Sequence, residues 1–535
     1  LSSTRRAGIA GVAGMAVALG VTELAHGLHA AVPSVLAAVA QGVVGLVPGW
    51  LATAGVELLG AADIPVLIST ILVLAFLLAG LLGVLAARRP GLALLGVAAL
   101  GAVALAACFA GPPAAPAATV ATVAAALLLG AGLSEALLRV AGLRGAGSAP
   151  PRSPAVRSRE AHSGGVLVDR GGFVLVSGAA AVAGLAAAVA GRTLAGGSPR
   201  RAAPKPLRLP AEPRRTGGAP RHRTLPLPPE DASIEAPGMP PLITSAEDFY
   251  LVDTALVSPR VDAREWSLRV GGAVRNPLEL SYSDLLSMPT READITLSCV
   301  SNEVGGGLVS NGRWTGVLLS DLLREAGVDP RGISGDSAQI VGRSVDGWTA
   351  GFRTGLAFDG REALVAFGLN GSELPLKHGY PARLVVPGLY GYVSATKWLA
   401  EIELTGWDFD AYWIQRGWSK EGPVRTQSRI DTVKDGETLP AGRIPVGGVA
   451  WVPHRGISKV EVSTDGGKTW QEARLAAQLD PDSWCHYLYE WEAPPGEHTL
   501  QVRATDGEGR TQTARRAPPH PSGATGYHTV RVAVA

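Results

Sequence analysis

The chain has little of several things that would narrow its chemistry. It has 3 cysteines in 535 residues, and no two of them form a CxxC pair. That spacing gives no support to a zinc site or an attached c-type haem. A disulfide between Cys299 and Cys485 is open to an oxidising compartment, but no spacing asks for it. Net charge is small: 48 Lys+Arg against 46 Asp+Glu leave +2. Such a balance argues against a nucleic-acid partner, which calls for a basic footprint. Charge is sparse as well, at 18%, and unevenly spread. Residues 1–191 are mostly Ala, Leu, Val and Gly, whereas the remainder is composed like a globular protein. This split predicts a membrane part followed by a soluble part.

What is there begins with long apolar runs. Spans of the ~20 residues that cross a bilayer as a helix are expected at Ala7–Leu28, Ile64–Ala87, Leu92–Ala110, Ala118–Val140 and Phe173–Gly191. Val35–Leu59 is apolar but broken by Pro48, Gly49 and Trp50, and is read as short interfacial helices. Arginines set the orientation. Arg5 and Arg6 precede the first span, Arg88 and Arg89 follow the second, and Arg139, Arg144, Arg152, Arg157, Arg159 and Arg170 lie between the last two. Five spans put all three groups on one side, which the positive-inside rule makes cytoplasmic. Everything after Arg192 is then extracytoplasmic, on a multi-pass chain in contact with membrane lipid. His26 and His29 end the first span and no other span carries a histidine, so two helices cannot supply a bis-histidine haem.

Residues 192–242 are rich in Pro and Arg and read as an extended linker. From 243 to about 440 short strands and helices alternate, an α+β pattern. Trp266–Val270 and Asp294–Cys299 read as strands, and Ser283–Met288 as a helical turn closed by Pro289. Ser320–Ala326 reads as a helix with Ser320 as its N-cap and Gly327 past its end. Residues 441–535 alternate in strands, with Asp465-Gly-Gly-Lys468 as a hairpin turn, and suggest an immunoglobulin-like β-sandwich.

Two places could carry chemistry. Cys299 ends a strand and enters a loop containing Gly305-Gly-Gly307. Backbone amides can approach a ligand there, and a thiolate is a soft ligand suited to a redox metal. A buried structural cysteine is the plainer alternative. Downstream, Lys377, His378, Arg383 and Lys397 converge among glycines within about 20 residues. Arg can grip a phosphate bidentately while Lys acts as a point charge; a solvated basic loop is the alternative.

Taken together and in order, these segments resemble the sulfite oxidase family of molybdopterin-dependent oxidoreductases. Thr296-Leu-Ser-Cys299-Val-Ser-Asn302, Arg313-Trp314-Thr-Gly316 and Leu318–Leu323 are similar to that family's cysteine region. His378-Gly-Tyr-Pro-Ala-Arg383 through Pro387-Gly388, with Lys397-Trp398, is similar to its pterin-binding segment. Phe249-Tyr-Leu-Val-Asp253-Thr254 resembles its N-terminal cofactor-contacting stretch. The resemblance spans about residues 243–535 and implies a Mo-molybdopterin cofactor. Cys299 would be the molybdenum ligand and catalytic centre. His378, Arg383, Ser394, Ala395, Thr396 and Lys397 would hold the pterin phosphate, Asp253 and Thr254 would contact the pterin, and Ser344, with Asp346 as rival, another part of the group.

The departures bear on substrate. Val252 and Val304, the latter beside Glu303, stand where sulfite-oxidising members use arginines, and their tyrosine is replaced near Trp418. A neutral small molecule, such as a sulfoxide or N-oxide, then suits the site at least as well as sulfite, with Trp407, Trp413 and Trp418 as candidate pocket walls. No haem motif is visible, which implies a separate electron-transfer partner, a cytochrome or a quinone system; the C-terminal domain implies a homodimer. Sulfite oxidation proper, and a non-catalytic binding module on a membrane anchor, are the alternatives.

Overall fold

The computed structural model describes residues 1–29, 32–47, 55, 63–110, 115–143, 170–196, 205–209 and 222–535. Arg144, Arg152, Arg157, Arg159 and most of residues 47–59 lie outside the described residues. The chain divides into two compact units, Leu1–Arg201 with Ala255–Arg260, and Ala202–Thr254 with Val261–Ala535.

In the first unit the described helices are α1 (Ser3–Leu28), α2 (Val35–Leu46), α3 (Asp63–Arg88), α4 (Pro90–Ala110), α5 (Pro116–Val140) and α6 (Arg170–Gly196). Five of them are long and apolar enough to cross a membrane, by length and composition, and they coincide with the five expected spans. The short α2 falls in the segment read as interfacial. Helix α1 is the hub. A β-carbon on Gly20 would sit 2.4 Å from the Gly184 carbonyl of α6, and one on Gly14 2.4 Å from that of Gly130 in α5. Glycine at these positions lets the helix backbones approach closely, the small-residue packing common between apolar helices. Glu23 of α1 is buried; it accepts from Ser34 Oγ (2.8 Å) and from Arg192 Nε of α6 (3.2 Å). His26 of the same helix is also buried, its Nδ1 2.7 Å from the Val32 carbonyl.

The second unit holds two sheets and a sandwich. In the first sheet Thr290–Ser298, Val309–Leu318, Leu364–Leu369 and Arg383–Val385 run antiparallel in that order. In the second, Leu278–Ser281, Ser267–Gly272, Leu399–Thr405, Gln339–Ser344 and Thr349–Arg353 follow one another. Their facing side chains share one core, including Leu268, Ile340 and Ile402 from one sheet and Val317, Phe367 and Leu384 from the other. The expected Ser320 helix is Leu319–Glu325 and starts a residue earlier, after Leu318, with no side-chain cap. Leu319, Leu322 and Leu323 are fully buried, so the apolar face fixes the start in place of the cap. The C-terminal strands form sheets of four and five strands around a shared core with Val446, Val460, Tyr487 and Val502. All three cysteines are free.

Of the stretch expected as a linker, residues 192–196 continue helix α6, and the residues described from 205 on belong to this second unit. His222–Arg223 pairs in parallel with Thr290–Ser298, and the Leu242 carbonyl accepts from Asn311 Nδ2 (3.0 Å) and Trp484 Nε1 (2.8 Å). Such distant partners leave no local trace in composition.

The site-bearing strands are tied by a bidentate pair. Arg313 Nε and Nη2 donate to Asp294 at 2.9 and 2.8 Å, with side chains only 14% and 4% exposed. Asp294→Ala leaves a half-buried guanidinium unpaired and is expected to cost ~3–5 kcal/mol. A urea melt of the full chain checks this; an unchanged midpoint would contradict it.

Candidate functional site

Cys299 follows the last residue of the strand Thr290–Ser298, so the sheet fixes its position while the loop frees its side chain. The loop is closed at its neck. Cys299 N donates to the Leu308 carbonyl (2.9 Å), and Asn302 Oδ1 accepts from Leu308 N (2.7 Å). Burial pushes the Cys299 thiol up; the amide and hydroxyl of Ser301 and the Lys397 ammonium pull it back. These donors and this cation favour the thiolate, the form in which cysteine binds metals. Burial, and to a smaller degree the Cys299 charge, raises the phenols of Tyr250 and Tyr390. Tyr390 is pushed up to about 12, so its hydroxyl stays protonated.

The basic cluster converges as expected. Gly379, at φ 106°, turns the chain so closely that a β-carbon there would lie 3.0 Å from Lys397 Cα. His378 is buried with Nε2 2.9 Å from the Ala246 carbonyl. A carbonyl only accepts, so Nε2 carries the hydrogen. Burial, then Arg383 and Lys397, holds the ring down to about 3. A neutral imidazole with a bare Nδ1 follows.

Arg383 and Lys397 differ in what they have left to give. Lys397 Nζ donates to Asp253 Oδ2 (2.9 Å) and to the carbonyls of Val252 and Lys377 (3.2 Å each). Its three hydrogens are spent, so it acts as an oriented charge. Arg383 is 4% exposed and lies over the Trp314 ring at 5.2 Å. Its Nε and Nη1 donate to the carbonyls of Leu384 (3.3 Å) and His378 (3.2 Å). Among the described residues Nη2 has no protein acceptor and the guanidinium no carboxylate within 4.0 Å. Burial lowers Arg383 to about 10, which still leaves it charged at neutral pH. Asp253 favours the charge through space, and an anion at Nη2 would offset more of the cost of burying it.

The other expected residues sort less uniformly. Ser394 Oγ donates to the Tyr390 carbonyl (3.0 Å) and Thr396 Oγ1 to the Gly342 carbonyl (3.3 Å). Both hydroxyl hydrogens thus build the turn around Ala395. Ser344 Oγ accepts from Asp346 N at 3.4 Å at the end of its strand, and Asp346 in turn accepts from Trp348 N. Thr254 is half-buried beside Asp253. Trp413 and Trp418 lie together, ring centroids 6.0 Å apart, with Tyr392 and His520 against Trp418 at 5.7 and 4.9 Å. Trp407 does not join them in ring contact; it lies between Arg353 (4.0 Å) and Lys420 (5.1 Å).

Known proteins are similar to this chain over its second unit. A model described as "Oxidoreductase molybdopterin binding domain" matches residues 255–413, and one described as "Mo-co oxidoreductase dimerisation domain" matches 422–520. Mitochondrial sulfite oxidase of Homo sapiens is 30% identical over 298 residues, 48% of this chain and 54% of that protein. Sulfite oxidase of Gallus gallus is 28% identical over 315 residues, 51% of this chain and 68% of that protein. The chain thus spans about half the length of the human relative. A solved structure of the sulfane dehydrogenase SoxCD from Paracoccus pantotrophus aligns at TM-score 0.47 and 25% identity, over 56% of this chain and 82% of that one.

Proposed function

The chain belongs to the sulfite oxidase family of molybdopterin-dependent oxidoreductases, and from that premise we propose a membrane-anchored enzyme acting on a small neutral molecule outside the cytoplasm. The observation that carries the cofactor's placement is Arg383, a buried guanidinium with an unclaimed Nη2. The donor set fits Mo-molybdopterin: one soft thiolate for the metal and a buried cation for the phosphate. Cys299 would bind the molybdenum. Arg383, with the backbone of Ser394–Lys397, would hold the phosphate, and His378 Nδ1 would accept from the group. Asp253, Thr254 and Ser344 would meet the pterin. When bound, the cofactor supplies two-electron redox chemistry with oxygen-atom transfer.

The chain's own residues then set the field. Lys397, held by Asp253, keeps a positive charge beside the thiolate. Tyr250 and Tyr390 stay protonated and would supply neutral hydroxyls, not charge, to the surroundings of the cofactor. Substrate selection follows from Val252 and Val304: neither side chain can donate a charge-assisted hydrogen bond to an anion, and the Lys397 ammonium near Val252 has its hydrogens committed to Asp253 and two carbonyls. Two missing charge-assisted hydrogen bonds at ~1.5–3 kcal/mol each correspond to at least a hundredfold. Dye-coupled sulfite oxidation should therefore run at least ~100-fold lower in kcat/KM than in a sulfite oxidase that carries both arginines, while methionine sulfoxide or trimethylamine N-oxide is reduced by a reduced dye. Sulfite as the better substrate would restore the sulfite oxidase reading.

Placement outside the cytoplasm rests on Arg5, Arg6, Arg88, Arg89 and Arg139 marking the inner side of the five apolar helices. We read the C-terminal sandwich as immunoglobulin-like from its two-sheet core, and as the surface of a homodimer from the dimerisation-domain match. Electrons would pass to a separate extracytoplasmic cytochrome or a membrane quinone system.

A further inference from the structure

The loop that follows Cys299 is held at both ends by different domains. Its neck is closed on the sheet through Cys299, Asn302 and Leu308. Its tip rests on the C-terminal sandwich. Arg429 Nη1 donates to the Gly306 carbonyl at 2.8 Å, while its Nε donates to Asp431 Oδ1 at 2.6 Å, which sets the guanidinium plane. Tyr487 Oη donates to the Arg429 carbonyl at 2.8 Å, so the strand bearing Arg429 is tied to its own domain. The Arg429 side chain is only 12% exposed. Next to it, Gly305 lies against the His528 ring so closely that a β-carbon would be 2.1 Å from Cδ2. Its φ of +82° also favours glycine. His528 is fixed in turn, Nδ1 accepting from Ile430 N at 3.0 Å. Gly306 is confined from the other side: a β-carbon there would be 2.7 Å from Asn302 Oδ1. Glu303 and Val304 are thus carried on a short span between a fixed cysteine and a fixed tip.

We propose that Arg429 and His528 are positioning residues for this loop, so that the C-terminal sandwich sets the substrate side of the molybdenum site within the same chain. The proposal rests on reading Cys299 as the metal ligand. A plain domain contact would need neither the glycine at φ +82° nor a buried arginine aimed at a backbone carbonyl. Because Cys299 and the tip share one closed loop, releasing the tip shifts Val304 and the surroundings of the sulfur while leaving the phosphate grip at Arg383 untouched.

The test compares full-length wild type with Arg429→Met, Arg429→Lys and His528→Ala. Molybdenum and pterin content, thermal midpoint, the molybdenum EPR spectrum after partial dithionite reduction, and KM for methionine sulfoxide are measured. Arg429→Met and His528→Ala should keep the metal and pterin, change the EPR spectrum and raise KM ~10-fold or more with kcat changed far less. Arg429→Lys, which can still donate to Gly306, should restore much of the wild-type spectrum. Spectra and KM identical to wild type in folded, molybdenum-containing variants would overturn the proposal, as would a loss that tracks unfolding alone in all three. A wild type without molybdenum would instead remove the reading of Cys299 on which it rests.

Discussion

Cys299→Ser should leave a folded chain with no measurable turnover, a loss of ~10³ or more, because a hard hydroxyl replaces the soft thiolate at the metal. The substitution is close to isosteric and lies at a loop neck whose hydrogen bonds are made by the backbone and by Asn302. The thermal midpoint should therefore barely move. Ser301 and Lys397, which offset part of the burial that raises the Cys299 thiol, cannot ionise a serine to a comparable extent. The check is dye-coupled activity with methionine sulfoxide beside a thermal melt of the same preparation. Wild-type activity in the serine variant would remove Cys299 from the chemistry.

Arg383→Met should separate stability from cofactor retention, with opposite signs. In the absence of an anion the Arg383 guanidinium is a buried charge with one unclaimed nitrogen, and methionine fills much of its volume without that penalty. The cofactor-free variant should melt at or above the wild-type temperature. Pterin content should fall, since about two charge-assisted hydrogen bonds, ~3–6 kcal/mol, are lost from the phosphate. That is a hundredfold or more in affinity, read as form-A-type fluorescence after acid release. Undiminished pterin in the variant would contradict the assignment, and a strong drop in the cofactor-free melting temperature would make Arg383 a structural residue.

Much of this was legible in the sequence because the signals are local. Apolar runs gave the five long helices, and a strand ending at Cys299 followed by glycines gave the loop. The spacing from His378 to Lys397 gave the basic cluster, whose convergence depends on Gly379 allowing the turn at φ 106°. What escaped depends on contacts made far along the chain. Glu23 lies in an apolar run, and its partner Arg192 is 169 residues away. Ser394 and Thr396 carry the right atoms for a phosphate, yet their hydroxyls are drawn to nearby carbonyls. Lys397 likewise spends its hydrogens on Asp253 and two carbonyls. Trp407 shares its spacing with Trp413 and Trp418 but is captured by Arg353 and Lys420, a cation–π choice no spacing reveals. The grip of Arg429 and His528 on the glycine loop crosses more than 120 residues and was equally invisible.

The central claim is that the thiol of Cys299 and the cation of Arg383 together hold a molybdenum cofactor. Metal and pterin analysis of the full-length wild-type protein, purified from a host that makes the cofactor, tests it most directly. The account predicts ~1 molybdenum and a matching amount of molybdopterin per chain. A folded chain that carries neither would contradict it.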